Sequence, residues 1–184
     1  MKPRLYRRRS VPLLETRRHL EPGPAVLVTS AWRGRRDVMT MNWHAVMEFT
    51  PALVGCVISE GNDSFELVRG SRECVLNIPQ RELLDVLVGI GTTHGKKVDK
   101  YARFGLETEE GEVVKAPLLR QCYASFECRL HDARLVKRYN FFVWEVVRAW
   151  VAPAPKRPST LHYTGEGVFR VAGATVRRDV GALL

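Results

Sequence analysis

The chain has 184 residues, 45% of them hydrophobic, and a formal net charge of +9. That is one ordinary domain, or one domain with an arm, holding enough apolar material for a real core and biased toward anionic partners, whether nucleic acid or small phosphate-bearing ligands. The longest uncharged apolar run, Pro51 to Ile58, is far too short to cross a bilayer, and the opening MKPRLYRRRSVPLLETRRH has no apolar stretch or cleavage site of a secretory signal, so no membrane association and a cytoplasmic location are expected.

Residues 1–21 read as a basic arm. Seven of the first 18 residues are Lys or Arg against one acid, Glu15, and Pro3 and Pro12 break any long helix. A domain over residues 22–184 follows. AVLVTSAW (25–32) reads as a strand, RGRRD (33–37) as a turn, and VMTMNW (38–43) as the returning strand of a hairpin. ALVGCVIS (52–59) is a third strand, apolar on both faces. Asp63 followed by Glu66 has the spacing of a capping box, so a short helix is expected from Ser64.

CVLNIP (74–79) is the next strand. QRELLDVLVGIG (80–91) has helical periodicity, with Leu83, Leu84, Leu87 and Val88 on one side, and GTTHGKKVDKYARFGL is loop and turn. CYASFECRLHD (122–132) alternates, placing Cys122, Ala124, Phe126, Cys128 and Leu130 inward and Tyr123, Ser125, Glu127, Arg129 and His131 outward. NFFVWEVVRAWV (140–151) is its hairpin partner, PAPKRP (153–158) a stiff linker, and LHYTGEGVFRVAGATVRR supplies a last strand or two. The sum is six or seven strands with one or two helices, mainly β and antiparallel, closing as a small barrel because closure removes edges. The four cysteines form no CxxC pair and read as buried free thiols, with neither a disulfide framework nor a metal site.

Most motifs of catalysis are absent. His44 and Glu48 lack the second His of a zinc-protease helix, GIGTTHG lacks the GK[ST] ending of a phosphate-binding loop, and no GxSxG occurs. The strongest constellation spans three segments. The loop at Thr40 to Trp43 follows a strand. Ser59 leads through Glu60–Asn62 to a helix N-terminus whose unpaired N–H groups suit a phosphate, with the Ser59 and Ser64 hydroxyls as further donors and Asp63 as an awkward neighbour. HGKKVDKY adds Lys96, Lys97 and Lys100. Met39, Met41 and Trp43 share one strand face by alternation, and form either plain core or a polarisable bed beside a flat ring.

Five pieces in order, PGPAVLVTS, VMTMNWHAVMEFTPALVGCVIS, SFELVRGSRECVLNIP, GKKVDKYARFGL and GEGVFRVAG, resemble the flavin reductase-like, FMN-binding split-barrel family of the flavoredoxin type over roughly residues 22–180. The resemblance implies a homodimer with FMN at the subunit interface. It implies that Thr40, Met41, Asn42 and Trp43 line the isoalloxazine ring through backbone atoms, that Ser59, Asn62 and Ser64 surround the phosphate, and that Asn77 and Lys100 line the same site. His94 stands where relatives often carry a small hydroxyl residue. The activity implied is that of an NAD(P)H-dependent flavin reductase or a flavoredoxin-like electron carrier. NADH or NADPH is the reductant, a small molecule or redox protein is the electron acceptor, and no acid–base residue is required. The rival readings are a flavin-binding module without turnover and a basic nucleic-acid-binding barrel. Against the last, the chain has no RNP-type aromatic pattern and no helix-turn-helix signal.

Overall fold

The structure, a computed structural model, describes residues 5–16 and 23–177. The expected arm is therefore only partly within view. What is seen of it packs on the body: Tyr6 is buried and its backbone N–H donates to the Arg120 carbonyl, and β1 (Arg9–Ser10) pairs with the end of a long strand at Val151 and Trp150.

Strands β2 (Val26–Trp32) and β3 (Arg35–Met41) form the expected hairpin. Trp32 pairs with Arg35, so the turn is two residues, Arg33 and Gly34, both at positive φ. That is the turn type whose twist matches the flanking strands. One strand was not expected: β4 (His44–Glu48) pairs antiparallel with β5 (Leu53–Val57). Helix α1 (Ser64–Ser71) begins where the sequence places it, but Asp63 makes no side-chain cap. Strand β6 (Glu73–Ile78) leads through a 3-10 turn (Arg81–Leu83) into α2 (Leu84–Gly91). On this helix Leu87 and Ile90 are buried, while Val88, expected on the buried side, is 42% exposed. The segment expected as loop contains one helical turn, α3 (Lys100–Arg103), capped by the Asp99 carboxylate accepting from the Tyr101 and Ala102 backbone N–H groups. Short strands β7 (Thr108–Glu109) and β8 (Leu118–Leu119) pair with each other. Strand β9 (Ala124–Asp132), helix α4 (Val136–Tyr139) and strand β10 (Phe141–Val151) follow, then a final hairpin, β11 (Leu161–Gly165) and β12 (Val168–Val171).

The main sheet runs β3-β2-β6-β9-β10-β5-β4, each neighbouring pair antiparallel. Its terminal strands β3 and β4 are joined by Asn42 and Trp43 alone. Three extended residue steps reach at most about 11 Å. The two ends of a seven-strand path must therefore meet, and the sheet curls into a split barrel. The interior is one apolar cluster fed from β2, β3, β5, β6, β9 and β10, including Val28, Met39, Met41, Cys56, Leu76, Phe126 and Trp144. Phe65 of α1 plugs it, edge-on to Phe142, which stacks on Trp144. All four cysteines are free and buried, as expected.

Two layers cover the outer surface. Helix α2 packs Leu87 and Ile90 on Leu27 and Val38, outside the β2–β3 hairpin. The segment 111–119 lies over β6 and β9, with Val114, Ala116 and Leu118 against Val75. That lid explains a difference from the alternation: Ser125 and Glu127, expected outward, are buried, and Tyr123, also expected outward, is buried edge-on against Tyr6 of the arm. The Glu127 carboxylate accepts from the backbone N–H groups of Glu112, Val113 and Val114 and from the Trp150 indole N–H, so its burial is satisfied.

Candidate functional site

The corner between β3 and β4 sits beside α2 and the last hairpin. There Ala25, Thr40, Asn42, Trp43, Leu87, Val88, Gly91, Thr92, Tyr163, Gly167 and Phe169 line an apolar pocket of about 570 Å³. Trp43 is 71% exposed, and Tyr163 packs on Phe169 with ring centroids 4.9 Å apart. Thr40 is held outward by its hydroxyl donating to the Leu87 carbonyl at 2.6 Å. At Gly91, an added Cβ would meet the Thr40 side chain at 3.3 Å, so glycine keeps helix and strand close. The Asn42 Oδ1 is buried and has no hydrogen-bond partner. An orphan acceptor of this kind costs about 1–3 kcal/mol and is relieved by a ligand N–H.

Thr40, Gly91 and Thr92 also belong to a second, polar pocket of about 210 Å³ with Asn62, Asp63, Thr93, His94 and Lys100. Asp37, Asp63 and Lys100 are shared in turn with a third of about 570 Å³, which adds Arg35, Arg36, Lys96, Lys97 and Asp99. The three form one trench, apolar and aromatic at one end and cationic at the other. A buried ionic cluster underlies its middle. Lys100 Nζ lies 3.1 Å from Asp37 Oδ1 and donates to the Val38 carbonyl at 2.7 Å, while Ser64 Oγ donates to Asp37 Oδ2 at 2.7 Å.

Asp63 works across the trench rather than as a cap. Its carboxylate accepts from the Lys96 backbone N–H at 3.2 Å and lies 3.7 Å from His94 Nδ1 and 3.9 Å from Lys96 Nζ. Partial burial pushes its carboxyl up. The Lys96 N–H, the nearby His94 and Lys96 charges and the Gly95 N–H outweigh that and hold it below the ordinary aspartate value.

Of the expected site residues, Thr40, Asn42 and Trp43 come together at the apolar pocket, and Asn62, His94 and Lys100 at the polar one. Lys100, 5% exposed, spends its ammonium on Asp37 and the Val38 carbonyl, and three more are not free to bind. Met41 is 4% exposed and belongs to the barrel interior, because β3 alternates up to this residue and the chain then turns the corner, which separates it from Trp43. Ser64 is fully buried with its hydroxyl committed to Asp37. Asn77 is also fully buried: its Nδ2 donates to the Leu27 carbonyl, and its Oδ1 accepts from the Leu119 N–H and the Ser125 hydroxyl. Ser59 is exposed, and its Oγ accepts from the Gly61 N–H, shaping the turn before α1. Sequence reasoning missed Thr92, Tyr163 and Phe169. The exposed Val88 within an apolar helix is the one local sign that this side of α2 faces an opening.

The fit to a flavin mononucleotide is direct. The aromatic pocket would take a flat ring, the orphan Asn42 acceptor a ring N–H, and the polar pocket beside it the phosphate.

The model of the flavin reductase like domain family matches residues 17–172. An uncharacterized protein of Escherichia coli, YddH, is 30% identical over 174 residues, 86% of this chain and 92% of that protein. An uncharacterized protein of Archaeoglobus fulgidus is 31% identical over 111 residues, 60% of this chain and 63% of that protein. Among solved structures, an FMN-binding domain of a flavin reductases-like enzyme from Shewanella baltica superposes with a TM-score of 0.87 at 26% identity, covering 96% of this chain and all of that one. The flavoredoxin of Desulfovibrio vulgaris shares the fold, with a TM-score of 0.78 at 18% identity over 87% of this chain and 92% of that one. The chain belongs to the family of the flavin reductase like domain.

Proposed function

We propose that the protein is an FMN-binding oxidoreductase, a flavin reductase or flavoredoxin-like electron carrier reduced by NADH or NADPH. The observation that carries this reading is the aromatic pocket opening into a polar one, with an unpartnered Asn42 acceptor in the wall. The similarity to an FMN-binding domain over nearly the whole chain supports the cofactor. When bound, the flavin supplies hydride acceptance and onward electron transfer.

The chain's own residues bind and orient. Asn42 Oδ1 fixes the ring edge, and Trp43, Leu87 and Val88 shield it from water. Asn62, Thr92, Thr93 and His94 surround the ribityl and phosphate groups, with Asp63 holding the His94 loop in place through the Lys96 N–H. Hydride transfer to a flavin needs no protein acid or base, and none of these residues is assigned one.

The reading includes a homodimer. Trp43, Met47 and Phe49 are 71%, 48% and 37% exposed along the β4 edge, and such an apolar row on an edge strand is ordinarily covered. A second copy there would complete the wall of the aromatic pocket at Trp43.

The test is anaerobic spectroscopy of the FMN-loaded protein on addition of NADH or NADPH. Bleaching of the flavin bands with either nucleotide is expected. Bands that persist with both would reduce the protein to a flavin-binding module.

A further inference from the structure

We infer that the cationic end of the trench binds the 2′-phosphorylated ribose of the nicotinamide donor, so that the protein takes NADPH in preference to NADH. This rests on the FMN reading of the same trench and narrows its substrate.

The reason lies in which charges are already spent. Five cations and three carboxylates line this pocket. Lys100 is committed to Asp37 in a buried pair, and Lys96 faces Asp63. Asp99 is turned to the N-terminus of α3, where its carboxylate accepts two backbone N–H bonds. Arg35, Arg36 and Lys97 remain. Among the described residues, no carboxylate oxygen lies within 4.0 Å of their side-chain nitrogens. Arg36 lies over the Tyr101 ring with its guanidinium carbon 4.2 Å from the centroid, so one donor group is positioned before any ligand arrives. Three cations around a concavity with no carboxylate partner among the described residues, one of them stacked on a ring, are the donor set for a phosphomonoester dianion.

The length of β3 separates this site from the ring pocket. Five residues of strand part Thr40, at the ring pocket, from Arg35, about 17 Å at roughly 3.4 Å per residue. The polar pocket with Asn62 and His94 lies between them and takes the flavin's own phosphate. The cationic pocket beyond it is left for a second, longer ligand that begins at the ring. A nicotinamide dinucleotide has that form, and only its 2′-phosphorylated version carries the dianion these cations fit.

The test is calorimetric titration of the full-length FMN-loaded protein with 2′-phospho-ADP-ribose and with ADP-ribose. The phosphorylated fragment is expected to bind about ten- to a hundredfold tighter, the range of one or two charge-assisted contacts. The double variant Arg35→Ala/Lys97→Ala is expected to erase that difference while keeping the wild-type affinity for FMN. In steady state it should lose kcat/KM for NADPH selectively and leave that for NADH in place. Equal affinity for the two fragments, a difference that survives in the variant, or binding of neither overturns the inference. Because FMN affinity is measured separately, failure of the wild-type protein to bind FMN would sink the cofactor reading itself. The fragment titration repeated without FMN would then still judge the pocket.

Discussion

Lys100 is the side chain whose removal should damage the trench most. It is 5% exposed, its charge is matched by an Asp37 carboxylate that is 6% exposed, and it also donates to the Val38 carbonyl. Lys100→Met keeps the volume and deletes the charge, leaving Asp37 buried with only the Ser64 hydroxyl against it. Removing one partner of a buried pair costs about 3–5 kcal/mol, mostly the desolvation of the charge left behind. For a domain of this size each kcal/mol moves Tm by roughly 2–4 °C, so a fall of about 6–20 °C is expected. Thermal and urea unfolding of wild type, Lys100→Met, Asp37→Leu and the double variant form the assay. The double variant should recover a substantial part of the loss, because it leaves no unpaired charge. A loss below about 1 kcal/mol, with additive single effects, is the behaviour of a solvated surface pair and would refute the reasoning.

Three further outcomes follow from the same packing. Gly95→Ala should mimic Lys100→Met in part, since its Cβ would lie 2.2 Å from Asp37 Oδ1, a carboxylate already held by two partners; unfolding midpoints like wild type would contradict this. Burial pushes His44 below its ordinary pKa, against the smaller opposing effect of its bond to the Pro24 carbonyl. The unfolded chain therefore takes up this proton first as pH falls below about 6.5, so the contribution to stability is present above that pH and lost beneath it. His44→Asn should flatten the dependence of Tm on pH between about 7.5 and 5.5, and an unchanged slope would rule the residue out. Burial raises the Cys122 thiol to about 12 and pushes Cys56 and Cys74 up as well, so native protein at pH 8 should react with iodoacetamide only after denaturation, as read by mass spectrometry.

Most strands were legible because their surroundings are simple. The β2–β3 hairpin has apolar alternation on either side of a glycine turn, and β10 is apolar on both faces because the barrel lies on one side and other elements on the other. Strand β4 was not legible. HAVME carries neither clean alternation nor a continuous apolar run, as befits an edge strand, and only its pairing with β5 reveals it. The outward assignment of Ser125 and Glu127 failed because their cover is an aperiodic segment distant in sequence. At the site, the spacing of Asp63 and Glu66 located a helix start correctly. It could not show that the Asp63 carboxylate would turn to a loop thirty residues onward. RGRRD read as a turn, with Gly34 and Asp37 as its punctuation. Only the folded chain sets Asp37 against Lys100 and leaves Arg35 and Arg36 with no carboxylate partner among the described residues.

The most direct test of the two-ended trench is a titration of flavin-free protein with FMN and with riboflavin, followed through the visible flavin bands. FMN should bind with shifted bands and riboflavin at least about tenfold more weakly, the difference of one charge-assisted phosphate contact. Equal affinity for the two would remove the phosphate from the polar pocket, and no band shift with either would remove the flavin from the trench altogether.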